Sequence, residues 1–440
     1  MSSTVSSKIS LSLELKRLKY IASINDEALP ESTPSDYELQ YIDIGNVDSS
    51  GTIHDVVAYV LENAPSRARR IVRHGDVIVS TVRTYLQAIA AIENPPENLI
   101  VSTGFAVVRP SSILHPKFCK YALKEPSFIH EVISRSVGVS YPAINSYELG
   151  DIRVSIPPFA VQEQIADFLD YETTRLDSLI SAKENYLTII AEKRRALITS
   201  SVTRGINPKV KLKNSGISWF GEIPEHWTTM RLKYIAEVRG GLTLGKAYGS
   251  AKLTEYSYLR VANVQDGHLN LTNIKTVWVP EMEAESCLLQ AGDVLMNEGG
   301  DDDKLGRGCV WPGTISPCLH QNHVFAVRPK KVLPEWLDAW TSTQTAKSYF
   351  QSRAKRATNL ASISASNIKE LPVPLPPEDE QLTILEHIKA GTAKLDALKT
   401  ATELTITLLR ERRTALIAAA VTGKISVNER DSYKEVCHAH

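Results

Sequence analysis

One segment of this chain concentrates side chains that can read the edges of nucleic-acid bases. Residues 297–308, with the sequence NEGGDDDKLGRG, combine flexible glycines with Glu298, Asp301, Lys304 and Arg307. A carboxylate can accept a hydrogen bond from cytosine N4, and an arginine can donate two to guanine. The same composition also fits an ordinary solvated loop, so the segment alone leaves both interpretations open.

Two further segments of the same half carry related chemistry. Residues 320–323 have the sequence HQNH, and amide side chains are suited to adenine edges. Residues 353–359, with the sequence RAKRATN, are basic and polar and fit contacts to phosphate or to a groove. The candidate residues in these segments are Gln321, Asn322, His323, Lys355, Arg356 and Asn359.

The first half offers fewer distinctive groups, in residues 80–84, 102–104 and 135–141. The candidate residues there are Arg83, Thr84, Thr103, Arg135 and Tyr141. A nearby basic run either follows phosphates or forms a solvated face; it consists of Arg67, Arg69, Arg70 and Arg73.

Three motifs resemble catalytic, cofactor or metal sites, and each is incomplete. Asn94-Pro-Pro-Glu97 lacks the aromatic residue that stacks on a flipped base in amino-methyltransferases. Residues 240–246, with the sequence GGLTLGK, match a phosphate loop until Ala247, where a hydroxyl should bind magnesium. We interpret this segment as a recognition loop in which Lys246 can contact a phosphate.

The third motif is a set of cysteines and histidines whose spacing fits no compact zinc pattern. Its members are Cys309, Cys318, His320 and His323. We therefore predict neither catalytic nor metal-binding residues in this chain.

Composition sets limits on the class of protein. The 440 residues include 50 basic and 50 acidic side chains, and a nucleic-acid binder acting alone is usually basic. Zero net charge indicates either another ligand or partners that supply positive charge. The five scattered cysteines predict no disulfide framework. With no stretch of membrane-spanning length and no signal peptide, a cytoplasmic protein is expected.

The elements that must position these loops occur twice. Residues 157–206 align without a gap with residues 376–425, and the hexapeptide RLKYIA stands at both 17–22 and 231–236. A repeat of this length indicates two duplicated domains rather than a solenoid.

Each repeat contains a long helical segment that follows a Pro-Pro pair. The four-three spacing of apolar residues predicts a coiled-coil seam, interrupted at equivalent positions such as Glu172 and Gly391. The seam residues are Ile165, Leu169, Leu176, Leu179, Tyr186, Ile190 and Leu197, and then Ile384, Ile388, Leu395, Leu398, Leu409 and Leu416. Since a lone helix is marginal in water, the two copies are expected to pack on each other as a rod of about 60 Å. A dimerisation zipper is the alternative.

The predicted fold class is α+β, with two mixed domains separated by two long antiparallel coiled-coil helices and an internal pseudo-two-fold repeat. The predicted boundaries are 12–156 for the first domain, 157–206 for the central helix, 207–227 for an ordered crossing segment, 228–375 for the second domain and 376–425 for the C-terminal helix.

The whole pattern resembles the specificity subunits of type I restriction–modification systems. The resemblance rests on the leader NSGISWFGEIPEHW before RLKYIA, the Gly-Asp-Val strands at 75 and 292, the IPP or LPP entry with Gln162 or Gln381, and the RRALI or RRTALI helix end. It covers nearly the whole chain in both halves. The first half departs from it by lacking the Trp-Phe-Gly-Glu-Ile-Pro leader.

The resemblance implies a non-catalytic reader of double-stranded DNA. Each target-recognition domain would contact one half of an asymmetric, bipartite site, and the helices would set the spacing and dock two methyltransferase subunits. Motor–nuclease restriction subunits would complete the complex. S-adenosylmethionine, ATP and magnesium would bind to those partners, with no cofactor on this chain and no membrane contact.

Two rival interpretations remain. A fused restriction enzyme or DNA methyltransferase would carry its own catalysis, against which the incomplete motifs argue. A structural coiled-coil scaffold would not bind DNA at all.

Overall fold

The protein is described by a computed structural model that covers residues 13–300, 305–357 and 360–425. The chain divides into two compact units, Met1–Glu184 with Leu404–His440, and Asn185–Glu403. Each unit combines strands, short helices and parts of two long helices, which confirms the predicted α+β class.

Apart from the end of the second long helix, from Leu404 onwards, the elements of the first unit precede the middle of the first long helix. Its strands are β1 (Glu14–Arg17), β2 (Ala22–Ile24), β3 (Glu38–Ile42), β4 (Val57–Val60), β5 (Ala68–Ile71), β6 (Val77–Ser80), β7 (Ile89–Ala91), β8 (Leu99–Ser102), β9 (Phe105–Pro110) and β10 (Arg153–Ile156). Its helices are α1 (Pro116–Ala122), α2 (Pro126–Ser134), α3 (Ser146–Asp151) and the start of α4 (Phe159–Arg204).

The second unit contains the end of α4, adds a hairpin before residue 228, and otherwise follows a similar order with further short elements. Its strands are β11 (Leu212–Asn214), β12 (Glu222–Pro224), β13 (Thr228–Arg231), β14 (Ala236–Arg239), β15 (Thr254–Leu259), β16 (Lys275–Val279), β17 (Val294–Asn297), β18 (Gly299–Gly300), β19 (Gly308–Val310), β20 (Cys318–His320), β21 (Val324–Pro329), β22 (Lys355–Ala357), β23 (Leu360–Ser362) and β24 (Pro372–Leu375). Its helices are α5 (Glu281–Glu285), α6 (Pro334–Thr341), α7 (Gln344–Arg353), α8 (Ala365–Lys369) and the start of α9 (Glu378–Val421).

The core of each unit lies on both faces of a central sheet. In the first unit the strand order is β2-β9-β6-β7, and in the second it is β14-β21-β17-β19. Val77 and Val79 pack with the helices, while Ile78 faces a second core on the other side. Burial on both faces explains why these strands are continuous apolar runs rather than alternating ones.

The repeated Gly-Asp-Val sequence marks a buried ion pair. Asp76 and Asp293 are both buried, and each accepts two hydrogen bonds from an arginine of the neighbouring strand. The distances are 2.9 and 2.8 Å to Arg109, and 2.7 and 2.8 Å to Arg328. Such planar, bidentate pairs are geometrically specific, so the pair fixes β6 against β9 and β17 against β21.

The glutamine after each Pro-Pro pair attaches the long helix to its domain. The buried Gln162 accepts from the backbone N–H of His115 at 2.8 Å and donates to the carbonyl of Pro157 at 2.9 Å. Gln381 accepts from the N–H of Leu333 at 3.2 Å and donates to the first proline of its own pair at 3.0 Å. Buried backbone groups need such partners, which accounts for the repeated glutamine.

The two long helices run antiparallel within each unit. In the first unit, Asp177 of α4 pairs with Arg413 of α9 at 2.9 Å. In the second, Arg194 of α4 pairs with Asp396 of α9 at 3.3 Å. The repeat makes Arg194 equivalent to Arg413 and Asp177 equivalent to Asp396, so the same ion pair forms once in each unit with the two helices exchanged.

The predicted seam is right in part. Ile165, Leu169, Leu176, Ile190, Ile384 and Ile388 are buried as predicted. The prediction is wrong for Leu179, Tyr186 and Leu398, which are 43, 38 and 45% exposed. Two paired helices cover only a narrow stripe of each other, so some positions of the heptad pattern stay outside the contact. Near the middle of the helices, Ile180 and Ile406 are buried instead.

The segment between the first long helix and β13 packs on the second unit. Its hairpin of β11 and β12 brings Phe220, Ile223 and Trp227 into that unit's core. Trp219 lies against Tyr349, with 5.3 Å between ring centroids. These contacts attach the segment to the rest of the second unit.

Among the described residues, no helix combines the length and the apolar character that crossing a membrane requires. Cys119, Cys287, Cys309 and Cys318 are free thiols, all buried, and Cys437 lies outside the described part of the chain. Burial raises the pKa of both Cys309 and Cys318 to about 12, so these thiols stay protonated.

Candidate nucleic-acid interface

The three candidate loops of the first unit meet at one place. Thr81 donates from its hydroxyl to the carbonyl of Gly104 at 2.9 Å, which joins the first loop to the second. The backbone N–H of Arg83 donates to the carbonyl of Pro142 at 2.8 Å, which joins the first loop to the third. Segments that were selected separately on composition therefore form one surface.

Arg83 and Tyr141 form an exposed stacked pair on this surface. The guanidinium carbon of Arg83 lies 4.7 Å from the centre of the Tyr141 ring. Arg83 has a left-handed backbone, with φ of 54°, which the surrounding loop holds in place. Stacking occupies the face of the guanidinium and leaves its N–H groups at the edge, where they can donate to a base or a phosphate.

Two residues that sequence reasoning did not select as site residues complete this surface. Asp43 and Arg67 line an open pocket of about 460 Å³ together with Arg83 and Tyr141. Arg67 belonged to the arginine run, while Asp43 follows a strand directly and caps the short turn that starts at Ile44. The position of the Asp43 carboxylate directly after a buried strand is the feature of the sequence that could have indicated it as a site residue.

Of the other candidate residues of the first unit, Thr84 and Arg135 already have partners within the fold. Thr84 is buried, and its hydroxyl lies 2.8 Å from that of Ser136, so it supports the loops from beneath. Arg135 pairs with Glu131 at 2.7 Å. Thr103 is exposed. In the arginine run, Arg73 pairs with Glu27 at 2.9 Å.

In the second unit a small sheet unites two candidate segments. The strand order β18-β23-β22 places Gly299 opposite Ser362 and Lys355 opposite the same Ser362. Lys355 and Arg356 are exposed. Gly299 is required because a Cβ there would lie 2.8 Å from the carbonyl oxygen of Ala361.

Glu298, directly before β18, connects this sheet to the third candidate segment, residues 320–323. Glu298 accepts from the ring of His323 at 2.7 Å, and the N–H of Glu298 donates to the His323 carbonyl at 2.9 Å. Gln321 accepts from the N–H of Val261 at 3.3 Å, which holds part of its amide in the fold. Asn322 is half-buried.

Arg307 is also half-buried, and its carbonyl accepts from the N–H of Asn297 at 3.0 Å. The candidates Asp301, Lys304 and Asn359 lie outside the described residues.

Lys246 lies in another pocket, of about 420 Å³, where it pairs with Glu283 at 2.5 Å. The hydrogen bond to that carboxylate raises the pKa of Lys246, so it remains charged. The structure does not bring it into the sheet that contains Lys355.

The second unit also contains a cleft beside the long helices. It has a volume of about 650 Å³ and lies between α6, the loop at Asp266 and the sides of α4 and α9. Asp338 of α6 lines it and faces no cation within ion-pair distance among the described residues. Burial, together with Asp266 and Glu335, raises the pKa of Asp338 to about 7.

This raised pKa predicts a pH-dependent stability. The folded state binds a proton at Asp338 more tightly than the unfolded chain does, so stability falls as the pH rises from about 4 to 7. We expect Asp338→Asn, which removes this loss, to stabilise the second unit by about 1–2 kcal/mol more at pH 8 than at pH 5. Urea unfolding at the two pH values measures the difference. An equal effect of Asp338→Asn at pH 5 and at pH 8 would contradict the raised pKa of Asp338.

Among the described residues there is no cluster of side chains that could hold a metal ion. His320 is buried, and its Nδ1 lies 2.7 Å from the carbonyl oxygen of Val324. Burial lowers the pKa of His320, which keeps the ring neutral. His320 therefore belongs to the core of the second unit.

Comparison with known proteins defines the class. The model of the type I restriction–modification DNA specificity domain matches residues 14–188 and again 224–408. The chain belongs to this family.

Individual relatives agree. The EcoKI specificity subunit of Escherichia coli (strain K12) is 24% identical over 337 residues, which cover 74% of this chain and 68% of that protein.

Two solved structures share the fold. One, from work on complex assembly and conformational transition of the type I restriction–modification system, has a TM-score of 0.73 at 21% identity and covers 93% of this chain and 97% of its own. The other is the HsdS subunit of Thermoanaerobacter tengcongensis, with a TM-score of 0.50 at 20% identity, covering 94% of this chain and 97% of its own.

Proposed function

We propose that this chain is the DNA-sequence specificity subunit of a type I restriction–modification complex. The observation that carries the proposal is the convergence, in a chain of this family, of three separate loops on one exposed surface that holds Arg67, Arg83 and Tyr141. Each unit reads one half of a bipartite, asymmetric site in double-stranded DNA.

The residue types suit that role. In the first unit the edge of the stacked Arg83 donates to a guanine or a phosphate, and the carboxylate of Asp43 accepts from cytosine N4. In the second unit Lys355 and Arg356 contact phosphates and set the register, while Glu298, His323 and Arg307 contact base edges. Phosphate contacts position the domain, and base contacts discriminate.

The chain acts without catalysis of its own. Its partners in the proposal are two methyltransferase subunits and restriction subunits with motor and nuclease activity, which bind S-adenosylmethionine, ATP and magnesium. The zero net charge supports this division, because a reader with partners that clamp the phosphates needs no basic excess itself. The fused-enzyme alternative gains no support from the comparisons, which match specificity subunits.

The proposal is tested by sequencing the methylated sites in cells that express each variant with its methyltransferase. We expect Arg83→Ala to relax one base position in one half-site only, with a loss of about 1–3 kcal/mol of discrimination. Arg73→Ala is the matched control, because Arg73 pairs with Glu27 and does not line the pocket. It should leave the motif unchanged.

Relaxation of both half-sites by Arg83→Ala would contradict separate reading by the two units. A uniform loss of methylation at an unchanged motif would place Arg83 on a phosphate. Arg307→Ala is the corresponding variant of the second unit, and it should relax a position in the other half-site.

A further inference from the structure

The cleft of the second unit has an internal counterpart in the first. Helices α1 and α6 both begin at a proline that follows the residue held by Gln162 or Gln381. Both are followed by a capped helix, with Glu125 and Thr343 as the capping residues. This correspondence places Ala339 of α6 where α1 has Tyr121.

In the first unit this space is filled by an aromatic side chain. Tyr121 is buried, and its hydroxyl donates to Asp170 of α4 at 2.6 Å and lies 3.1 Å from the hydroxyl of Thr173. Lys120 pairs with the same Asp170 at 2.7 Å. The ring and the ion pair together close α1 onto the long helix.

In the second unit both closing contacts are lost. Ala339 replaces the tyrosine, Asp338 replaces Lys120, and Lys389 replaces Asp170. The charges are exchanged between the two walls, yet among the described residues neither Asp338 nor Lys389 forms an ion pair. Without the ring, part of the cleft of about 650 Å³ lies open between these walls.

The lining of the cleft matches a pocket for a protein side chain. Ile198, Leu385, Ile388 and Ala339 supply apolar surface, and charged residues of both signs surround it. A buried apolar centre with a polar rim is the usual anatomy of an anchor site in a protein interface. Aromatic side chains dominate such anchors because they bury a large area at little cost in conformational entropy.

We propose that this cleft receives an aromatic side chain of the methyltransferase subunit, at the position that Tyr121 fills from within the chain in the first unit. The inference rests on the proposed function, in which this chain binds two methyltransferase subunits, and the sides of α4 and α9 line the cleft. The lining contains four acidic and four basic residues, so it has no basic excess to favour DNA. The methyltransferase therefore anchors differently on the two units.

Ala339→Tyr tests the proposal by supplying the ring from within. The substituted ring should occupy the cleft as Tyr121 does, leave the unfolding of the second unit unchanged or shifted to higher urea, and weaken binding of the methyltransferase at this unit by at least about tenfold. Titration of the purified complex should then show one methyltransferase bound tightly and the second weakly. Ala339→Ser is the matched control, since it leaves the cleft open and should bind both.

If Ala339→Tyr folds and still binds both methyltransferases as tightly as the unsubstituted chain, the inference is wrong. A loss confined to DNA binding, or retention of a small molecule in the cleft with normal assembly, would also overturn it. Should the tyrosine variant fail to fold, Ala339→Leu fills less of the space and decides the question by the same titration. Failure of the unsubstituted chain to bind any methyltransferase would instead contradict the proposed function.

Discussion

Replacing Asp293 by alanine should lower the free energy of unfolding of the second unit by about 3–5 kcal/mol, the cost of leaving one partner of a buried ion pair alone. The side chain of Arg328 is only 19% exposed, and without Asp293 it keeps, among the described residues, one hydrogen bond, to the carbonyl of Leu288 at 3.2 Å. The loss also removes the acceptor for the N–H of Gln290. Asp293→Asn, which retains the size and part of the hydrogen bonding, should cost less.

The measurement can be confined to the second unit. All tryptophans of the chain lie between residues 185 and 403: Trp219, Trp227, Trp278, Trp311, Trp336 and Trp340. Urea unfolding followed by tryptophan fluorescence therefore reports this unit, and far-ultraviolet circular dichroism reports both.

The equivalent substitution in the first unit is the matched control. Asp76→Ala should cost less, about 1–3 kcal/mol, because Arg109 retains Glu27 at 2.8 Å and stays paired. Equal losses at the two positions would show that Glu27 does not compensate. A loss below about 1 kcal/mol for Asp293→Ala would contradict the role given to the buried pair.

Lengthening both long helices should change the spacing between the half-sites. One heptad inserted after Ala182 and another after Ala401, which are equivalent positions in the repeat, preserves the apolar stripe and adds about 10 Å. We expect the methylated motif to gain about three base pairs of spacer, at about 3.4 Å each, with both half-site sequences unchanged. Sequencing of methylated sites measures both quantities.

Two control insertions separate spacing from assembly. Two residues inserted in each helix rotate the apolar stripe by about 200° and put it out of phase. A heptad in one helix alone removes the match between the pair. Both insertions should abolish methylation. A normal spacer length after the double heptad insertion, or new half-site sequences, would contradict the spacing role.

Much of the architecture was determined by local sequence. A helix longer than 40 residues needs only a sustained apolar period and the absence of proline, and both are readable from the sequence around Ile165 and Ile384. The repeat of RLKYIA and of the Pro-Pro entry indicated two like units, because duplicated packing problems keep duplicated residues. The resemblance followed from those markers, and the family match confirms it.

Tertiary structure decided which residues form the candidate interface of the first unit. Thr84 and Arg83 are neighbours in sequence, yet one is buried against Ser136 and the other stacks on Tyr141, since a left-handed turn at Arg83 separates their directions. Asp43 joins them from a strand about forty residues earlier, through sheet pairing that no local pattern encodes.

The cleft of the second unit, which Tyr121 fills in the first, likewise could not be predicted from local sequence. The sequence contains both Tyr121 and Ala339, but only the packing of α1 and α6 against the long helices shows that they are equivalent and that one leaves a space. Periodicity and repeats are local properties of a chain and can be read without its fold. Which side chains meet, and which gap remains open, depends on contacts between residues far apart in sequence, and these exist only once the chain has folded.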